Sequence, residues 1–217
     1  MKFARTLLFA AAVLLLAGMM STTATAALDP DNDSFGVYFD LAGNTNTTTP
    51  MTTVTKTCYI LLMNPTTQIK GFEIAYEIVP EASMAPTFAD DLLRTSQAIA
   101  GGSFVDVGIS SDPIIGDFRC GYAAPRAPVP AMLMVTWKFR YYGEADLGMQ
   151  FFLSGVRTNA SPGSNGFPVV DGGSGIGLRQ AGVFSGSGSL PVACTGSCGS
   201  VVAEETSSFG SVKSLFR

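Results

Sequence analysis

The 217-residue chain has no histidine and four cysteines. Without histidine there is no imidazole base, no imidazole metal ligand and no Ser-His or Cys-His pair. No G-x-S-x-G, S-x-x-K, G-x-G-x-x-G or P-loop pattern occurs. Carboxylates are the remaining reactive groups. Asp90-Asp91 and Glu144/Asp146 are available for a glycosidase-type pair, but nothing in the spacing gathers them, so a glycoside hydrolase is the least favoured reading. Asp29, Asp31 and Asp33 have the alternate spacing of a calcium loop. However, Ser34 stands at the sixth position and Asp40 at the twelfth, where an EF-hand takes Gly and Glu. Calcium is carried as a candidate on those three aspartates; no other cofactor is expected.

The cysteines point to an oxidising compartment. Four allow three pairings. Cys194 and Cys198 enclose only Thr-Gly-Ser, a loop able to close on itself, which leaves Cys58 with Cys120. Two scattered cysteines and one C-x3-C without histidine make a poor zinc site. Tyr59 and Tyr142 are candidates for stacking on a sugar. The single Trp137 falls in phase with the apolar side of its strand.

The N-terminus supplies the address. Lys2 and Arg5 precede an apolar run from Leu7 to Met20, and Ala24-Thr25-Ala26 is an A-x-A cleavage site. These are the three parts of a secretory signal peptide, shorter than a bilayer span. Cleavage gives a mature chain starting at Ala27. No later stretch is long and apolar enough to span a membrane. Loss of Lys2 and Arg5 leaves 11 basic and 17 acidic residues, net −6, so a nucleic-acid partner is excluded.

The remaining residues call for strands. Gly is 24 and Pro 12 of 217, which implies many turns. Phe72, Ile74, Tyr76 and Ile78 alternate with Glu73, Ala75 and Glu77, a half-buried strand. Leu133, Val135, Trp137, Phe139 and Tyr141 share one side of the longest strand. Val54 to Met63 ends at the turn Asn64-Pro65. Val105, Val107 and Ile109 alternate on one side of another strand. Phe88 to Ile99 reads as a helical turn or a strand, and Asp112 to Pro130 as a long irregular loop. Six to nine short strands with Gly/Pro turns indicate an all-β, antiparallel Ig-like sandwich with long Gly/Pro-rich loops. The domain boundaries read as signal peptide 1–26, β-sandwich 27–190, Cys-containing flexible linker 191–208 and amphipathic tail 209–217.

The pattern at Tyr59–Met63, Gly71–Ile78 and Leu133–Tyr142 resembles the cohesin and carbohydrate-binding-module type of sandwich, over roughly residues 35–155. That resemblance implies a fold more than a function. In the tail, Phe209, Val212, Leu215 and Phe216 share a helical face, with Lys213 and Arg217 suited to its C-terminal end. The ending resembles the aromatic-Gly-x-x-Lys-x-Leu-aromatic-Arg endings of some exported bacterial proteins of unknown function, so it is a candidate docking or sorting element. The combined expectation is a secreted or cell-surface, non-catalytic protein with a structural, adhesive or protein-interaction role. Its partner would be an extracellular protein or cell-envelope component; a carbohydrate-binding module taking polysaccharide is the alternative.

Overall fold

A computed structural model describes residues 28–80, 88–143, 146, 148–173, 175–184, 186 and 188–196. The signal peptide, most of the expected linker and the tail lie outside the described residues. In chain order the elements are β1 Ser34–Tyr38, β2 Thr47–Thr48, β3 Lys56–Met63, β4 Ile69–Pro80, α1 Phe88–Asp91, β5 Leu92–Ile99, β6 Phe104–Asp106 and β7 Ile115–Arg126. They continue with β8 Ala131–Tyr141, β9 Met149–Ser154, β10 Val169–Asp171, β11 Leu178–Gln180, β12 Gly182–Val183 and β13 Ala193–Thr195.

Sheet I has the order β12-β1-β3-β8-β5. Sheet II is built on β4, with β7 and then β6 on one side. On its other side β4 pairs with β10 through residues 71–73 and with β9 through residues 75–80. β11 extends β10, and β13 and β2 extend β9. All pairs are antiparallel except β1 with β12 and β13 with β2. Phe35, Ile60, Leu62, Trp137 and Phe139 of sheet I enter one core with Phe72, Ile74, Tyr76, Phe118 and Phe151 of sheet II. The molecule is a two-sheet β-sandwich.

Both expected halves of 88–99 form: Phe88–Asp91 is a helical turn, and β5 follows it directly. The longest strand departs from simple alternation. Ile60 pairs with Val135 but Leu61 pairs with Leu133, so Met134 is bulged out of register. The bulge inverts the phase. Met132 and Met134 point into the core with Val135, Trp137 and Phe139, whereas Leu133 packs on the opposite face against Tyr38, Leu61 and Met63. Sheet I is therefore buried on both faces around β1 and β3.

Three expectations are corrected. Residues 112–130 are not one irregular loop, because 115–126 form β7, whose Phe118, Cys120 and Tyr122 face the core. The linker does not begin at 191, since Ala193–Thr195 are buried as β13 between β9 and β2. Cys58 and Cys120 are not joined; both are buried free thiols. The reason is the aromatic filling. Cys58 stands opposite Trp137 in sheet I, and Cys120 opposite Phe72 in sheet II. Between the sheets Trp137 and Phe118 have centroids 6.0 Å apart, and within sheet II Phe118 and Phe72 are 6.4 Å apart. Facing sheets stand roughly 10 Å apart, and a disulfide needs Cα atoms within about 7 Å. Cys194, wholly buried in β13, is not a free thiol; Cys198 lies outside the described residues.

Two polar clusters join the sheets at their margins. Asp33 immediately precedes β1, and its carboxylate accepts from Arg179 of β11 at 2.7 and 3.1 Å and from the Thr66 amide and hydroxyl at 3.1 and 2.5 Å. On the opposite margin, Trp137 Nε1 donates to Gln97 Oε1 (3.0 Å) and Gln97 Nε2 to Ser110 Oγ (2.9 Å). Arg94 donates to the Tyr76 hydroxyl (2.9 Å) and to the Ser110 carbonyl. The Tyr76 hydroxyl donates to the Asp112 carbonyl at 2.5 Å. The 110–112 segment is thereby strapped across the gap between β5 and sheet II.

Two predictions arise. Burial pushes both thiols up, Cys120 to about 12 with Asp106 adding to the effect, so thiolate is scarce near neutral pH. Iodoacetamide at about pH 8 should leave Cys58 and Cys120 unmodified in the folded protein and alkylate both in guanidinium; mass spectrometry of native-state peptides carrying either adduct would refute the buried-thiol assignment. Burial alone would raise the Asp33 carboxyl, but the hydrogen bonds from Arg179 and Thr66 outweigh it and hold it below its ordinary 3.8. A carboxyl depressed on folding stabilises above its unfolded pKa and loses that contribution as pH falls through the folded value. Asp33→Asn should therefore cost about 1–3 kcal/mol in urea unfolding near pH 6, and the gap should close well below pH 3.8. A gap independent of pH would remove the charge from the explanation.

Candidate functional site: the outer face of sheet II

Val105, Val107 and Ile109 keep the alternation expected of them, but not the burial. They are 66%, 71% and 68% exposed. Of this stretch Phe104–Asp106 forms a strand, and among the described residues it pairs only with β7. Beyond it the chain still tracks β7: the Val107 amide donates to Arg119 O (3.1 Å) and the Asp117 amide to Ile109 O (2.9 Å). Gly108 permits this approach, because a Cβ there would strike the backbone of Asp117 and Phe118. The row therefore lies alongside Gly121, Arg119 and Asp117 on the outer face, with exposed Ile115 at one end. Monomers seldom leave contiguous apolar surface of this kind without a use for it.

Beside the row is a hollow of about 380 Å³. Its floor is Gly71 and Gly121, paired across β4 and β7. A Cβ on Gly71 would come within 2.8 Å of Cys120 O, so the floor stays bare. Val107, Arg119, Glu73, Asp171 and Leu178 stand around it. A second, almost wholly apolar hollow of about 400 Å³ adjoins it at Gly121, between Val105 and Ala123.

The charged groups of this face are acidic and firmly placed. Asp117 pairs with Arg119 at 3.2 Å, and Arg119 also donates to the carbonyls of Thr158 and Asn159. Glu73 accepts from the Ser161 amide and hydroxyl at 3.0 and 2.6 Å. Together these bonds hold the 158–161 loop along the rim. Asp171 accepts from the Gly173 amide (2.7 Å); Asp106, on the other side of β6 level with core-facing Cys120, accepts from the amides of Gly108 (2.9 Å) and Arg119 (3.0 Å). No salt bridge to Glu73, Asp106 or Asp171 occurs among the described residues. The surface is rigid, apolar and negatively biased, suited to receiving a ligand chain rather than to transferring protons.

The residues singled out from sequence lie elsewhere. Asp29 accepts from the Asp31 amide (2.9 Å), Asp33 holds Arg179 and Thr66, and Asp40 caps Ala42 and Asn44. Among the described residues no group of three or more acidic or cysteine side chains is placed to share a cation. Tyr59 is opposite Thr136, so Tyr142 lies six residues further along, roughly 20 Å away, too far for both to face one sugar ring. Tyr59 is half-buried against the Tyr38 cluster, and Tyr142 is exposed with the Arg140 guanidinium 5.0 Å from its ring. Trp137 is wholly buried. Asp90 and Asp91 lie on α1; Glu144 and the tail residues are outside the described set. The valine-isoleucine row was visible as an alternation, but alternation alone does not separate a core-facing row from one facing outward.

No family model and no curated protein matches the chain. Among solved structures it is similar to the cohesin module of a Clostridium perfringens ATCC13124 family 33 glycoside hydrolase, at 9% identity and TM-score 0.41, covering 70% of this chain and 97% of that one. It is also similar to the second type II cohesin module of the adaptor ScaA scaffoldin of Acetivibrio cellulolyticus, at 10% identity and TM-score 0.44, covering 81% and 97%.

Proposed function

We propose that this chain is an exported, non-catalytic β-sandwich that binds another macromolecule outside the cytoplasm through the outer face of sheet II. The observation that carries the reading is the exposed row Val105–Val107–Ile109 beside a glycine-floored hollow. An apolar row on a rigid sheet supplies the desolvated centre of an interface, and Glu73 and Asp171 supply a polar rim. The basic, apolar and small-residue order of the first 26 residues supports export. The Thr-Gly-Ser spacing supports a Cys194–Cys198 pairing at the end of the sandwich. The partner is an extracellular protein or an envelope component.

Val105 and Val107 are mostly exposed, so replacing both by Asp should cost about 1 kcal/mol or less in folding. The immobilised wild type should retain a discrete partner from the extracellular or envelope fraction of its source. Val105→Asp/Val107→Asp, with an unchanged thermal midpoint, should lose it by tenfold or more, as expected for a central apolar contact worth about 1.4 kcal/mol or more. Equal retention by the two proteins would sink the assignment of the face.

A further inference from the structure

We propose that residues 209–217 of this same chain dock on the outer face of sheet II, along Val105, Val107 and Ile109, and so cover the surface a partner must reach. The inference rests on the reading of that face as a docking face, and three observations choose the occupant.

The first is chemical fit. Phe209, Val212, Leu215 and Phe216 form one apolar stripe if the segment is helical, with Lys213 and Arg217 beside it. The face offers an apolar row with Asp171 and Glu73 beside it, neither of them salt-bridged among the described residues. The lengths agree as well. The seven steps from Phe209 to Phe216 would rise about 10 Å as a helix, and the four extended steps from Val105 to Ile109 advance about 13 Å.

The second is reach. The described chain ends at Gly196, directly after β13. From β13 the sheet runs through β9, β4 and β7 to β6. Four strand spacings are about 19 Å. Residues 197–208 can span about 40 Å when extended. The tail therefore reaches the row without detaching from sheet II, and a tether of this length gives an effective concentration in the millimolar range.

The third is need. A nine-residue helix does not persist alone in water, and an apolar row of this exposure is not left open without consequence. One contact satisfies both. An external partner then competes with the tail, so tail release and partner capture are linked.

The test uses the full-length chain. Methyl NMR spectra of Val105, Val107 and Ile109 are compared between wild type and Leu215→Ser/Phe216→Ser, a change outside the described residues. Shifts of these three methyl groups, with the core methyls of Ile60 and Ile74 unmoved, are expected. Trypsin cleavage after Lys213 should be about tenfold faster in Val105→Asp/Val107→Asp than in wild type, because the undocked tail is always open to the enzyme. Unmoved methyls together with equal cleavage would overturn the proposal. Methyl shifts that grow with protein concentration would also overturn it, since the occupant would then be the tail of a second copy. If the tail change has no effect but Val105→Asp/Val107→Asp still abolishes partner capture, tail docking falls and the docking face stands.

Discussion

The sandwich depends on a chain of aromatic contacts between its sheets. Phe35 meets Phe72, Phe72 meets Phe118 and Tyr122, and Phe118 meets Tyr76 and Trp137. Trp137 continues to Phe139, then to Phe151 and Phe39. The closest pair, Tyr76 and Trp137, has centroids 4.9 Å apart in an edge-to-face arrangement. Burying each such ring contributes about 1.5–3 kcal/mol. These rings set the spacing of the sheets and occupy the room that a Cys58–Cys120 bridge would need. Three of them carry polar tips that have to be satisfied, and the Tyr122 hydroxyl accepts from Arg126. The Tyr76 hydroxyl and the Trp137 indole therefore draw in Arg94, Gln97, Ser110 and the Asp112 carbonyl. That polar chain fixes the 110–112 segment, which in turn holds Val107 and Ile109 beside β7. The outer surface is thus positioned from the core outward.

Much of this architecture was legible in the residues. The alternation of Phe72 to Ile78 identifies β4 because one face is core and the other is wet. The Phe88–Ile99 stretch shows two local preferences, and the molecule uses both in succession. What was not legible has definite causes. In β7 the inward residues Phe118, Cys120 and Tyr122 alternate correctly, but Gly116, Gly121 and Pro125 give the stretch the composition of a loop. Gly116 is required because the Ile109 carbonyl and the Tyr76 hydroxyl pass close by, a tertiary fact, whereas a Cβ on Gly121 would meet open space. β13 is too short and too rich in small residues to show a period, and it exists through its pairing with β9 and β2. The Met134 bulge cannot be seen in an apolar run where every residue suits either face.

The candidate site shows the same division. Sequence reasoning looked for acids, thiols and aromatics, and the structure assigns those groups to support. Asp33 clamps β1 to β11, and Asp40 caps a turn. Cys58 and Cys120 act as small apolar residues of the core, a common use of buried thiols. The surface that remains is built from valine, isoleucine and bare glycine backbone. Its shape comes from glycines that keep side chains away and from acids whose hydrogen bonds hold the neighbouring loops still.

Asp106 has a bearing on how this protein behaves in crowded solution. β6 is the last strand on its side of sheet II, and it is flanked by Phe104, Val105, Val107 and Ile109. A border of this kind invites other chains to add on strand by strand and grow into fibrils. Here the strand stops after three residues, the backbone bends in at Gly108, and the Asp106 carboxylate turns back onto the Gly108 and Arg119 amides. A buried-side charge and a bend at the border oppose continuous ladder growth. The molecule can therefore keep a sticky outer face in solution while refusing the polymerisation that such stickiness would otherwise promote.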